Sequence, residues 1–259
     1  MLLIIQTFVI AAAIQLAAML CLGLAERAAP TALPQQRGVT QNIGIGAMGL
    51  AAQTLGKLWF APFTVLAINQ VHGGLVVLPA SGFGLIVGIA IYVVAMDFGE
   101  YLFHRAQHAV PFLWAMHALH HSDTSFGATT AVRHFWLESW IKSATIWLAV
   151  GMMFQAPPLA MLAYGILGLY NFVSHSNLRI NFGRASWLCN SPAYHRLHHS
   201  ASPDHADCNY AALLPIFDWL SGAYVRPAPG MYPVTGLGDG RRPHSVLQAA
   251  VWPLLRQAA

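Results

Sequence analysis

The chain has 259 residues, 56% of them hydrophobic and only 8% charged, and its mean hydropathy is +0.53; a typical soluble domain carries about 25% charged residues. That balance is that of a membrane protein. The formal charge of +4, spread over 13 dispersed Lys and Arg with no basic run beyond Arg241-Arg242, offers no nucleic-acid surface. Cys21, Cys189 and Cys208 are odd in number and lack CxxC spacing, which excludes a disulfide framework and an iron–sulfur cluster.

Residues 2–24 are apolar throughout, long enough for a hydrocarbon core of about 30 Å. No Lys or Arg precedes Arg27, so the stretch lacks the basic start of a cleaved signal peptide and reads as a first span. Residues 26–41, with Pro30, Pro34, Gln35, Gln36 and Arg37, read as a loop. A second apolar run covers 43–68 with Lys57 as its only charge, and a turn at 69–74 leads to a third over 75–96. Residues 91–108 can continue as one helix, so that Asp97, Glu100 and Tyr101 stand where it leaves the bilayer and His104 and His108 just beyond.

The fourth apolar stretch, 141–172, holds Gln155-Ala-Pro-Pro158 at its middle. Tandem prolines remove amide donors and disfavour one straight helix, so a membrane hairpin is expected, which returns His175 to the side that His121 left. Arg27 and Arg37 follow span one, and Arg105, Arg133, Lys142, Arg179, Arg184 and Arg196 surround the histidines, so both regions are expected to be cytoplasmic and the N-terminus outside. Beyond Arg179 the apolar runs are short, and Pro and Gly are frequent over 227–243; this reads as a cap of short helices and loops. Residues 245–256 read as a surface helix interrupted by Pro253. The expected architecture is all-α: an integral membrane helical bundle of about three spans plus the hairpin, carrying a cytoplasmic histidine-rich di-metal cap. Its parts are N-terminal spans at 1–96, a catalytic region at 97–224 and a tail at 225–259.

Nine of the 13 histidines fall into four clusters: His104 and His108; His117, His120 and His121; His175; and His195, His198 and His199. Spacings of three and four residues put each multiple cluster on one helix face. A zinc site takes about three or four protein ligands, so nine convergent rings imply two metals or a large excess of ligand. Imidazole suits iron, zinc, copper and nickel. Nine nitrogens over two six-coordinate ions leave about three positions open, room for a bridging oxygen and for O2. His72 and His244 stand alone and read as loop or surface residues.

The runs Asp97-Phe-Gly-Glu-Tyr-Leu-Phe-His104-Arg-Ala-Gln-His108, Leu113-Trp-Ala-Met-His117-Ala-Leu-His120-His121-Ser, His175-Ser-Asn177, and Pro192-Ala-Tyr-His195-Arg-Leu-His198-His199 resemble the fatty acid hydroxylase, or sterol desaturase, superfamily. Asp207-Cys-Asn209-Tyr210 and Pro215-Ile-Phe-Asp218 continue the resemblance, which covers about 97–224. It implies a membrane di-metal oxygenase with two Fe ions, the nine clustered histidines as ligands, O2 as co-substrate and a lipid as substrate. The family's Arg-x-His-Pro-x-Glu is altered to Arg133-His134-Phe-Trp-Leu-Glu138, so His134 is expected beside the ligands rather than among them. Some members carry a tenth histidine four residues from the third cluster; here those places are Asn171 and Arg179, leaving that position to water, to Asn171 or open. The C-terminal Trp-Asp-Arg-Leu-Phe-Gly-Thr of the family is reduced to Phe217-Asp-Trp-Leu-Ser-Gly-Ala223.

Metal-bound histidines usually donate their second N–H to a supporting group; Asp97, Asp207 and Asn209 are the expected supports, with Glu100 and Asp204 behind them. Tyr101, Trp114 and Trp136 read as interfacial anchors. The function expected is oxygen-dependent hydroxylation or desaturation of a lipid entering from the bilayer. No G-x-G-x-x-G turn follows a strand, so electrons are expected from a separate cytochrome b5-like, ferredoxin or rubredoxin donor. Two alternatives compete: a membrane zinc hydrolase, which wants a HExxH-type carboxylate base that is absent, and a metal-binding or transport protein, which wants ionisable residues within the spans, where Lys57 is nearly alone. Zinc remains a possible substitute in the metal site.

Overall fold

The computed structural model describes residues 2–31 and 36–255; Pro34 and Gln35 of the expected loop and Arg256 of the expected C-terminal helix lie outside the described residues. Three long helices come first: α1 (Leu2–Ala28), α2 (Gln36–Gln70) and α3 (Gly82–Ala109). Among the described residues, Ile5–Ala28 and Gly82–Ala109 are long and apolar enough to cross a membrane. Helix α2, at 35 residues, has the length, but Gln41, Asn42, Gln53, Thr54 and Lys57 dilute its apolar run. Large apolar side chains stand exposed along these helices, among them Leu20, Phe63 and Phe83, as on a surface meant for hydrocarbon.

Two boundaries differ from the sequence expectation. Glu26 and Arg27 belong to α1, and Gln36 to Gln41 open α2, because polar residues at a helix end need no loop once that end leaves the apolar layer. The third apolar run is extended over its first residues: β1 (Val76–Val77) pairs in parallel with β2 (Phe154–Gln155) before α3 begins at Gly82. A continuous apolar run does not by itself distinguish helix from extended chain.

The hairpin is present. One arm runs through α5 (Glu138–Lys142), a π-helical turn (Ser143–Trp147) and α6 (Leu148–Met153); the other comprises α7 (Pro158–Gly168) and α8 (Tyr170–Ser174). Pro157 is extended and Pro158 takes the first helical position of α7, where its missing N–H is not needed. Leu78, Tyr92, Met96, Val150 and Ala160 form the core between α3 and the hairpin. Gly99 lets the π-turn approach, since a Cβ there would sit 2.4 Å from Ile146 Cγ2.

The remaining helices are α4 (Pro111–His121), α9 (Pro192–His198), α10 (Ile216–Ser221) and α11 (Val246–Ala250). A second core of Ile45, Met116, Leu119, Phe135, Ala249 and Trp252 joins α2, α4 and the C-terminal segment. The 245–256 segment is therefore not a surface helix: Ser245 caps α11 by accepting from Gln248 N at 3.1 Å, and Ala249 and Trp252 are buried.

Candidate metal centre

Four elements deliver the histidines to one end of the bundle. Helix α3 ends with His104 and His108; Val110 is extended, and Pro111 starts α4, whose last turn carries His120 and His121. His175 follows α8, and α9 starts at Pro192 with the Ser191 hydroxyl accepting from Tyr194 N. All nine clustered histidines meet. His104, His108, His117, His121 and His198 form one group, and His120, His175, His195 and His199 a second; within each group one ring nitrogen per residue lies within 4.8 Å of the others.

The hydrogen bonds fix ring tautomers. A carbonyl oxygen only accepts, so the Nδ1 of His104 donates to Tyr210 O (2.6 Å), that of His198 to Cys208 O (2.7 Å), that of His175 to Asn171 O (2.8 Å) and that of His120 to Arg133 O (3.3 Å). Each of those rings then presents a bare lone pair at Nε2. Yet His104 Nε2 faces His198 Nε2 at 3.0 Å, and His120 Nε2 faces His175 Nε2 at 3.1 Å. Two neutral lone pairs at that distance repel; a cation between them removes the repulsion. Further nitrogens, His117 Nε2, His195 Nδ1 and both of His199, are buried without a partner. Burial, with neighbouring rings adding to it, holds His117, His120, His121, His195, His198 and His199 well below the ordinary imidazole range, and burial pushes His175 down to about 3. The rings are thus neutral, the form that binds metal. Orphaned donor nitrogens, facing lone pairs and an all-imidazole set fit a pair of metal ions.

The supporting residues only partly match expectation. Asp207 approaches His108 Nδ1 at 3.5 Å and accepts from the Tyr210 hydroxyl, as expected of a support. Asn209 is fully buried and holds backbone instead of a ring: its amide donates to Val225 O and Tyr194 O and accepts from Val225 N. Asp207 and Asn209 both adopt positive φ, 55° and 59°, a left-handed conformation that Asn and Asp tolerate better than most residues; between and beside them the carbonyls of Cys208 and Tyr210 reach His198 and His104. Asp97 accepts from Leu213 N and Leu214 N, so it fastens the cap to α3 and touches no ring. Asn171 supports His175 through its carbonyl while its side chain turns to Ala131 O at 3.4 Å, and Arg179 is exposed; neither stands in for a tenth histidine. Glu100 binds Lys142 at 2.6 Å, away from the rings, and Asp204 is exposed.

Two residues have roles that the sequence does not assign. Glu138 is buried and accepts from Gln107 Nε2 (2.6 Å) and Phe135 N (3.0 Å), while its Oε2 also lies 3.3 Å from His117 Nδ1 and 3.2 Å from His134 Nδ1. His134 in turn stacks on His120, with centroids 4.2 Å apart and an interplanar angle of 14°. Its i,i+4 spacing from Glu138 was the available signal. Arg133, read as a topology charge, is buried at 2% exposure; it donates to Leu119 O, Asn42 Oδ1 and Ser122 Oγ and so pins the end of α4. Of the three aromatic residues, Tyr101 is buried and bonds Ser221, whereas Trp136, half-buried, bonds Ala250 O and Trp114, also half-buried, packs on His108 and His121. A cleft of about 620 Å³, walled by residues 200–203, 206–207 and 236–238, opens on His108, His121 and His198.

Residues 89–223, just over half the chain, match the family model described as fatty acid hydroxylase. An alkylglycerol monooxygenase of Xenopus tropicalis is 36% identical over 133 residues and one of Homo sapiens 33% over 131; each match covers 51% of this chain and 29% of the relative. An ornithine lipid hydroxylase of Rhizobium tropici is 26% identical, over 54% of this chain and 42% of the relative. The chain thus spans under a third to under half of these relatives' lengths. No solved structure matches it.

Proposed function

Because the chain belongs to the fatty acid hydroxylase family, we propose that it is a membrane-bound di-iron oxidoreductase that hydroxylates or desaturates a lipid with O2 and externally supplied electrons. The observation that carries this reading is the facing of bare Nε2 lone pairs across His104–His198 and His120–His175. In it, His104, His108, His117, His121 and His198 hold one ion and His120, His175, His195 and His199 the other. Iron in such a nitrogen set supplies the oxidising power for an unactivated C–H bond. The chain's own contribution is to keep the rings neutral by burial, to fix their tautomers through the carbonyls of Arg133, Asn171, Cys208 and Tyr210, and to lock His117 through Glu138.

Hydroxylation is favoured over desaturation by the names of the relatives just given, two alkylglycerol monooxygenases and an ornithine lipid hydroxylase. The bundle is placed in the bilayer as a multi-pass protein with the histidine end on the cytoplasmic side, where basic residues gather. Electrons come from a separate protein donor. Detergent-purified, iron-loaded protein supplied with a chemical reductant should consume O2 faster when lipid is added, and mass spectrometry should find the lipid one oxygen heavier. Reductant-independent hydrolysis of the lipid, with zinc as the active metal, would refute the proposal.

A further inference from the structure

Behind His134, a recess of about 190 Å³ opens between α1, α2 and α5. Its walls are mixed, with His134, Glu138, Ser139 and Lys142 beside the apolar Leu50, Phe135 and Trp147. Gln15 of α1 and Gln53 of α2 both line it, each deep within its helix, and neither makes a hydrogen bond to another described residue. Both side chains are half-buried, and an amide withdrawn from water without a partner is disfavoured. Lys142, also on the wall, is held by Glu100 at 2.6 Å, so it offers no uncompensated positive charge to a carboxylate or phosphate. Gly49 contributes open space, since a Cβ there would meet nothing within 4 Å. The volume is that of about six waters at about 30 Å³ each, below the roughly 300–1,000 Å³ of sites that enclose a whole drug-sized ligand. It suits a head of a few polar atoms whose chain stays outside.

We propose that this recess seats the uncharged, hydroxyl-, ether- or ester-bearing head of the lipid substrate, with the Gln15 and Gln53 amides as its hydrogen-bond partners. The assignment rests on the lipid-oxidising reading above. Both glutamines lie outside the matched residues 89–223, so the selectivity they confer belongs to the N-terminal helices of this chain. Gln15 and Gln53 are binding residues: they contact the head, and the reaction occurs at the histidines.

The test uses the full chain in nanodiscs and a monoglyceride with a diazirine near its glycerol. Label is expected on peptides of α1 and α2 around Gln15 and Gln53, displaced by unlabelled monoglyceride at about tenfold lower mole fraction than by palmitate. The double variant Gln15→Leu, Gln53→Leu should weaken that displacement about tenfold, the effect of one or two net hydrogen bonds, and should raise KM for the neutral lipid while leaving kcat within twofold. Gly49→Leu, whose Cβ would meet nothing within 4 Å, puts a side chain on the recess wall and should abolish the label. Thermal melts matching the unaltered protein identify the variants as folded. Equal competition by palmitate, label persisting in Gly49→Leu, or an unchanged KM in the double variant would overturn the proposal. Labelling requires no turnover, so its failure is distinguishable from failure of the oxidase reading, which rests on O2 uptake.

Discussion

The two histidine groups share one end of the bundle but differ in exposure and in number. The five-ring group includes the partly exposed His104 and His108 and meets the cleft at His108, His121 and His198. The four-ring group is sealed: His120, His175, His195 and His199 are all buried, with Phe126 packed over His175 and His199 and His134 over His120. The group with more rings is therefore the one reachable from outside, and the smaller group is walled by aromatic rings. On the proposed reading, the open group would exchange with solvent or a partner, and the sealed group would do chemistry from which water is kept out.

Removing a sealed ligand should break this contrast most severely. His120→Ala is expected to lower turnover by more than the roughly 100-fold upper figure for a supporting residue, with the protein still in the membrane fraction; a rate within a few-fold of the unaltered protein would rule out its ligand role. Glu138 straddles the groups, touching His117 of the open one and His134, which leans on His120 of the sealed one. Glu138→Gln should cost about 10–100-fold in metal affinity, read by chelator competition, and an affinity unaltered by the substitution would make the carboxylate merely structural.

Acid sharpens the contrast without mutation. The buried rings have lowered affinities for protons, His175 to about 3, against about 6.5 in an unfolded chain. The unfolded state takes up protons first as pH falls, so the stabilisation is present above about 6.5 and is lost progressively from there towards 3. Metal-free protein should melt at falling temperature over that window; a flat profile from pH 7 to pH 4 would contradict neutral rings. The smallest effect is expected at the cleft. The Asp207 side chain is 73% exposed and stands 3.5 Å from His108, so Asp207→Asn should weaken metal binding by no more than about tenfold, in keeping with a screened contact. A loss equal to that of Glu138→Gln would erase the distinction between open and sealed supports.

Much of this centre is legible in the sequence, because ligand spacing on a helix is a local property. His104 with His108, and His117 with His120 and His121, need only a helical rise to share a face, and Pro157-Pro158 announces the hairpin that returns His175. The supports are another matter. The acceptors for His104, His120, His175 and His198 are main-chain carbonyls of Tyr210, Arg133, Asn171 and Cys208, a group every residue possesses, so no side-chain pattern marks them. Arg133 has the composition of a topology signal, and only the fold reveals that Asn42, Ser122 and Leu119 surround it. Glu138 does not fit a HExxH frame, yet the short turn between Val132 and α5 brings it beneath His117. The extended stretch before Gly82 is hidden for a different reason: Val76 and Val77 are as apolar as the helix that follows, and their pairing partner lies in the hairpin tip, far along the chain.

The proposed centre has two separate ion sites among its nine histidines, one open and one sealed. Elemental analysis of iron-loaded protein tests it most directly, with the unaltered chain and His195→Ala measured side by side. About two irons per chain, falling to about one in His195→Ala, is the predicted result. A single ion in the unaltered chain, or two zinc ions that iron does not displace and that support no O2 uptake, would contradict it.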